Sequence, residues 1–370
     1  MALLWIVIYS FINGLFVYKY AHLIAPYPIS LSLLYLVAIG FLFFCLLLRR
    51  RGGREPEAGP LHASGRSLGW LVAALAVSLY LIMRLQDPET IAVGRYPALE
   101  QWIDRLFRGE FPYQSPARPS ALPFQFIVAI PFYLLGDLGL MQIAAFLAFS
   151  TILLRDAGRE TPRRRLWHIL LLAASPIFLY ELVVRSDLFA NMVLVILYGA
   201  LLERVKDRRL APLRLFALGI AGGFVLATRL IVLIPLSLYL AAFTRARNRL
   251  PIGLIGGILI GFSLVVLPFL LWDPAYFIHH GPHAIQASYA SPWIVALIAL
   301  LALLTAARIR SMARVHTSSA LLLLLAVLLP FLQGLSAEGW DGVILSDRFD
   351  ISYFAFCLPF LVLTIDFDGI

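Results

Sequence analysis

Arg185, Arg229 and Arg348 each stand where a long apolar run ends. A guanidinium presents a planar fork of donors that matches phosphate or carboxylate and keeps its charge when partly desolvated, so arginines at such a depth suit an anionic ligand. Asp87 and Glu89 bracket Pro88 just after the apolar stretch 68–85. A carboxylate fixed at that boundary is placed to act as general base on an acceptor hydroxyl, and the same position equally suits an exposed turn cap. Asp187 follows Arg185 and Ser186, where it serves either as an ion-pair partner or, with Ser186, as the N-cap of the next helix. His279, His280 and His283 follow Asp273 and could hold a divalent metal with it. Gly281 and Pro282 interrupt any helical ligand face there, so loop histidines without a metal are the preferred reading.

The elements that must position these groups are membrane helices. Of 370 residues 61% are hydrophobic and 14% charged, and the mean hydropathy is +0.88, far outside the range of soluble chains. The pattern predicts an all-α, polytopic transmembrane protein with about twelve spans, near 2–18, 30–48, 68–85, 122–154, 166–184, 187–203, 214–228, 230–244, 252–271, 292–307, 318–335 and 351–365. The N-terminus lacks a basic n-region and a cleavage site, and its first apolar run reads as a retained helix. Cys45 and Cys357 lie inside apolar runs and read as packing thiols. The net charge of +9 does not point to nucleic acid, because 21 of the 30 basic residues fall in the short loops 49–67, 155–165, 203–214, 245–249 and 308–314. That is a topology signal: those loops are cytoplasmic, both termini with them, and the loop 86–121 faces the other side.

Within that outer loop, Leu99, Trp102, Ile103, Leu106 and Phe107 recur at helical spacing after Pro97, while Glu100, Gln101, Asp104, Arg105 and Arg108 fill the opposite face. This predicts a short amphipathic helix lying flat on the membrane, aromatic side down. Two stretches resist a plain span. Gly136, Asp137 and Gly139 divide 122–154, which must still cross a net odd number of times, so a helix-break-helix or re-entrant arrangement is expected. Two segments of about 15 residues meet at Thr228 and Arg229, which suggests a water-filled outer cavity.

The motifs Arg95-Tyr96-Pro97, Arg108-Gly109-Glu110-Phe111-Pro112-Tyr113, Pro131-Phe132-Tyr133, Ser175-Pro176 with Arg185-Ser186-Asp187, Ala227-Thr228-Arg229 and Asp347-Arg348-Phe349 occur in this order. In order and topology the chain resembles the GT-C-type integral membrane glycosyltransferases. The resemblance covers about 70–365, and the two spans within 1–67 look like additions to a single membrane domain of 370 residues. It implies inverting transfer of a hexose or pentose from a polyprenyl-phosphate carrier to an acceptor hydroxyl on the outer side of an inner (cytoplasmic) membrane, without a nucleotide. It further implies that Arg95, Tyr96, Tyr113, Arg185, Asp187, Arg229 and Arg348 line the substrate site. The loop aspartate that such enzymes carry close before Arg-Tyr-Pro is replaced by the neighbourhood of Gly94, which leaves Asp87, or Glu89, as the base. A transporter or flippase for an anionic lipid or solute, and a noncatalytic relative, are the competing classes.

Overall fold

The structure, a computed structural model, describes residues 2–20, 27–51, 65–91, 94–155, 161–247, 252–287, 290–345 and 349–366. Every regular element among them is helical. In chain order these are α1 (Ala2–Tyr20), α2 (Pro28–Arg51), α3 (Gly65–Arg84), α4 (Arg95–Phe107), α5 (Pro123–Leu134), α6 (Leu140–Arg155), α7 (Pro162–Ala173) and α8 (Pro176–Val183). There follow α9 (Leu188–Val205), α10 (Pro212–Leu226), α11 (Leu233–Arg247), α12 (Ile252–Trp272), α13 (Pro274–His280), α14 (Pro282–Ala287), α15 (Pro292–Arg308), α16 (Met312–Trp340) and α17 (Leu358–Thr364).

Six helices among the described residues are long and apolar enough to cross a membrane, and a seventh span results if α7 and α8, bent by 52°, are taken as one. Twelve are not reached on this measure, because α5, α6, α10, α15 and the Pro28–Phe43 part of α2 are apolar but short, and at 1.5 Å per residue such helices fall below the bilayer core. The α7–α8 break is written in local chemistry. Ser175 accepts the Phe178 N–H and Pro176 occupies the first turn, so a new helix starts where the old one stops.

α9 is central, wrapped by α6, α10, α11 and α17. Its buried Phe189, Met192, Val195 and Ile196 make much of the core. The closest pairing joins α10 to α12 through glycines: a Cβ added at Gly219, Gly223, Gly257 or Gly261 would land on a backbone carbonyl oxygen of the facing helix. Small residues at such spacing let two membrane helices approach until backbones touch. α1, read from the sequence as an addition, is inserted in the bundle. The Tyr9 hydroxyl donates to the Leu171 carbonyl at 2.7 Å, and the Asn13 side chain accepts from the Ser175 hydroxyl at 2.7 Å. α2 packs on α1 and leaves Ile29, Leu33, Leu34, Val37 and Phe41 exposed.

The bundle has two chemically distinct ends. At one end Arg245 donates to the Ala307 and Ile309 carbonyls, Arg247 to the Arg208 carbonyl at 2.7 Å, and Arg164 meets Asp366 at 3.4 Å. At the other, the last turns of α1, α3, α8 and α10 meet the first turns of α4, α9 and the C-terminal segment.

α5 belongs wholly to this second end, so that 122–154 forms two helices separated by a break, of the kind Gly136, Asp137 and Gly139 suggested. Its start is tied by the Leu122 and Phe124 N–H groups to the Thr228 and Ala227 carbonyls, at 2.8 and 2.9 Å. Just past its end, Asp137 bonds Arg185 at 3.1 Å. Both ends therefore sit at one end of the bundle, and α6 alone runs to the other, after a turn at Gly136 with φ of 86°. α4 lies over α5, and its apolar face meets protein instead of lipid. Trp102 stacks on Phe126 with ring centroids 4.4 Å apart and lies 5.3 Å from Phe269 of α12. Burial of so large a ring among aromatics outweighs its interfacial alternative.

Candidate functional site

The polar centre of the α4 end begins at Arg229. The helix α10 ends at Leu226, the Thr228 hydroxyl bonds back to the Val225 carbonyl at 2.6 Å, and Arg229 is extended before a short 3₁₀ turn, Leu230–Val232. The backbone freed by this break finds partners in the protein: the Leu230 N–H donates to the Gln286 side chain of α14 at 3.2 Å. The Arg229 side chain, 3% exposed, forks onto Asp187, with Nη2 at 2.9 and 2.7 Å from the two carboxylate oxygens. Its other terminal nitrogen reaches the Ser120 hydroxyl at 3.4 Å.

Asp187 precedes α9 but makes no side-chain capping bond. Of the two readings of this residue the ion pair is the one found. Its carboxylate also faces Arg95, the first residue of α4, at 3.9 Å. Arg95 in turn bonds Asp350 at 2.8 Å and the Ser352 hydroxyl at 2.6 Å. The result is an alternating row, Arg229–Asp187–Arg95–Asp350, drawn from four interruptions in the helical pattern. The 3₁₀ segment Ile351–Phe356 backs it with aromatic faces: Tyr353 lies 4.8 Å from the Arg95 guanidinium carbon and Phe356 lies 5.9 Å from that of Arg229, a cation–π arrangement.

Asp350 is the accessible acid of the row, its side chain 37% exposed where that of Asp187 is fully buried. Burial pushes its carboxyl up, but the Arg95 guanidinium and the hydrogen bonds from Ser352 outweigh this and hold it below the usual carboxylate range. Glu181, near the end of α8, is fully buried beside the row, and one of its oxygens accepts the Leu188 N–H at 3.2 Å. A half-open cavity of about 120 Å³ adjoins the row. Arg229 supplies its charge, and Ile231, Val327, Pro330, Phe349 and Phe356 give it an apolar wall between the 3₁₀ turn before α11, α16 and the C-terminal segment. An anionic group with an apolar tail is the ligand chemistry such a wall and such a guanidinium suit together.

The structure brings Arg95, Asp187 and Arg229 together from the sequence-derived set and sends the other described members elsewhere. Asp87 is exposed and its carboxylate accepts the Glu89 N–H at 3.1 Å, capping the turn Pro88–Thr90. Glu89 is exposed on the same turn. Neither carboxylate makes contact with the arginine row, so the capping reading of Asp87 replaces that of base. Arg185 is fully buried and its donors are used: Asp137 at 3.1 Å, and the Val183, Gln86 and Met83 carbonyls at 2.8, 2.9 and 3.3 Å. It clamps α3, the α5–α6 turn and α8, and its complete burial closes it to a ligand. The Tyr113 hydroxyl donates to the Ala121 carbonyl at 3.0 Å inside the aromatic cluster under α4, and the Tyr96 hydroxyl donates to Glu100 at 2.9 Å. Arg348 lies outside the described residues. Asp273 caps α13 and accepts from Gln114 at 3.0 Å, and His283 bonds the Ile278 carbonyl at 2.7 Å. No cluster of three or more His, Cys, Asp or Glu suited to a metal occurs among the described residues.

Asp350, Ser352, Tyr353 and Glu181 were not anticipated. Glu181 carried a signal, an ionisable residue inside an apolar run. Asp350 with Ser352 carried a weaker one, an Asx turn opening the last apolar segment. No protein-family model matches the chain, and no curated protein or solved structure is significantly similar to it.

Proposed function

We propose that this protein is a membrane glycosyltransferase of GT-C type, taking a sugar from a polyprenyl-phosphate carrier and passing it to an acceptor hydroxyl with inversion. The observation that carries the reading is the Arg229 guanidinium, almost fully buried, at the polar end of an apolar cavity whose wall includes Tyr353, the ring that lies against Arg95. In this reading α2, α6, α10, α15 and the C-terminal segment 351–364 complete twelve crossings, the arginine-rich end and both termini are cytoplasmic, and the row faces the outer side of an inner membrane. The carrier tail lies along Ile231, Val327 and Pro330, and its phosphate meets Arg229.

The acceptor oxygen attacks the anomeric carbon as the bond from that carbon to the phosphate oxygen breaks. The electron pair leaves with the polyprenyl phosphate, whose charge the guanidinium holds in a poorly solvated setting. The acceptor proton passes to a carboxylate, and Asp350 is the one that both touches an arginine of the row and meets solvent. An incoming phosphate competes with Asp350 for Arg95 and thereby raises its basicity when a donor is bound.

The test uses purified protein in nanodiscs with labelled polyprenyl-phosphate hexose and pentose donors, reading release of polyprenyl phosphate. Asp350→Asn should lower turnover by roughly 100- to 10,000-fold, as loss of a general base does, while Asp87→Asn and Glu89→Gln keep it. Full turnover in Asp350→Asn, or absence of saturable polyprenyl-phosphate binding by the native protein, overturns the proposal. Transport of an anionic lipid is the second reading, favoured by the 52° bend between α7 and α8. Movement of intact donor across the bilayer without loss of its sugar would select it.

A further inference from the structure

The arginine-rich end holds a second cavity, remote from the row. It is a groove of about 370 Å³ between α6 and α9, lined by Ala148, Thr151, Ile152, Leu197, Ala200 and Leu201, with Arg155 and Arg204 at its polar end. Ala148 and Ala200 are small, so the two helices leave a furrow where larger residues would close it. Leu147, Leu197 and Leu201 are exposed along it, which makes the furrow continuous with the apolar outer surface. Arg155 and Arg204 stand in the last turns of their helices, where unpaired carbonyls and the helix dipole favour cations.

The two arginines differ from four others at this end. Arg164, Arg165, Arg245 and Arg247 are bonded to protein groups. Arg155 and Arg204 are exposed and have no side-chain hydrogen bond or ion pair with any described residue. No carboxylate lines the groove among the described residues. Glu203, adjacent to Arg204, is bonded to Lys206 at 2.9 Å, and the Thr151 hydroxyl to the Leu147 carbonyl at 2.7 Å. A protein partner would have to bring its own acid to satisfy two cations, whereas an anionic lipid of the surrounding leaflet brings both a phosphate and a chain of the right polarity. Basic pockets between membrane helices bind such headgroups.

We propose that this groove binds one anionic phospholipid, its headgroup phosphate held between Arg155 and Arg204 and one acyl chain lying over Ala148 and Ala200. The proposal does not depend on the reaction at the other end. Each arginine beside an anionic headgroup contributes roughly fivefold in affinity, about 1 kcal/mol, so the pair contributes roughly 25-fold.

Native mass spectrometry of the full-length protein, released from nanodiscs of mixed phosphatidylglycerol and phosphatidylcholine, counts the lipids retained. The native protein should keep one phosphatidylglycerol in preference to phosphatidylcholine, and Arg155→Gln with Arg204→Gln should weaken its retention roughly 25-fold. Arg209→Gln with Arg214→Gln removes the same charge at the same end and should leave retention unchanged. Ala148→Leu fills the furrow with both arginines present and should also expel the lipid, which keeps the test open if the double arginine variant folds poorly. Equal loss in both arginine pairs, equal retention of the two lipids, or displacement by inorganic phosphate alone would each overturn the proposal.

Discussion

Replacing Arg229 by Gln tests whether the row is a structural ion pair, a ligand site or both. The substitution leaves Asp187 fully buried with Arg95 as its remaining cation, at 3.9 Å instead of the 2.7 Å of the lost partner. Breaking a buried pair by removing one member costs about 3–5 kcal/mol, mostly the uncompensated charge, and the surviving Arg95 contact places this case near the lower bound. Asp187→Asn in the Arg229→Gln background removes that charge, and the two amides can bond each other. Stability should return by about 1–3 kcal/mol, the coupling energy of residues in one network. Equilibrium unfolding in mixed micelles gives the stability arm, and binding of polyprenyl phosphate gives the other. The double variant should regain stability without regaining binding, because no amide replaces a guanidinium on a phosphate. Additive destabilisation would show that the pair is uncoupled. Restored binding would show that Arg229 is not the phosphate ligand.

Two further outcomes follow from local geometry. Gly257→Ala and Gly261→Ala drive a methyl group into carbonyl oxygens of α10 and should each destabilise by about 1–3 kcal/mol through overpacking, whereas Gly256→Ala, with open space around it, should be neutral in the same unfolding assay. The Arg95–Asp350 pair sets a pH dependence. Because the native Asp350 carboxyl is held below its ordinary value of 3.8, the unfolded chain binds more protons there. The contribution is complete above that value and fades as pH falls through the native one. Unfolding titrated with acid should therefore be less steep in Asp350→Asn than in the native protein, and identical slopes would remove Asp350 from the pair.

Much of this was legible in residue order because membrane helices write themselves in composition. The short helix after Pro97, the interruptions at Gly136 and at Thr228-Arg229, and the gathering of loop arginines at one end are all read from spacing and charge. What spacing could not give is which partner a buried charge finds. Arg185 and Arg229 occupy equivalent places at the ends of apolar runs, yet one is saturated by Asp137 and three carbonyls and the other lines a cavity. The difference lies in α5, whose path along one end of the bundle delivers Asp137 to Arg185. Nor could the sequence tell lipid from protein beneath Trp102, since both are apolar, and only the position of Phe126 and Phe269 decides it.

The members of the row share one structural circumstance, and it explains why they could be assembled at all. Asp187, Arg229 and Asp350 each lie outside regular α-helix, between α8 and α9, after α10, and before the 3₁₀ segment, while Arg95 opens α4 after Gly94 at φ of 105°. In a bilayer an interrupted helix exposes N–H and C=O groups that lipid cannot satisfy, so such breaks persist only where protein or water supplies partners. Gln286 does so beside Arg229 by accepting the Leu230 N–H, while the Ser120 and Ser352 hydroxyls accept from the Arg229 and Arg95 guanidinium groups. Once a break is enclosed in this way, the setting that satisfies the backbone also tolerates a charged side chain, and the energetic objection to burying Arg229 is met there by Asp187 and Ser120. A chain with these four interruptions straightened into continuous helix would have no place to hold the row.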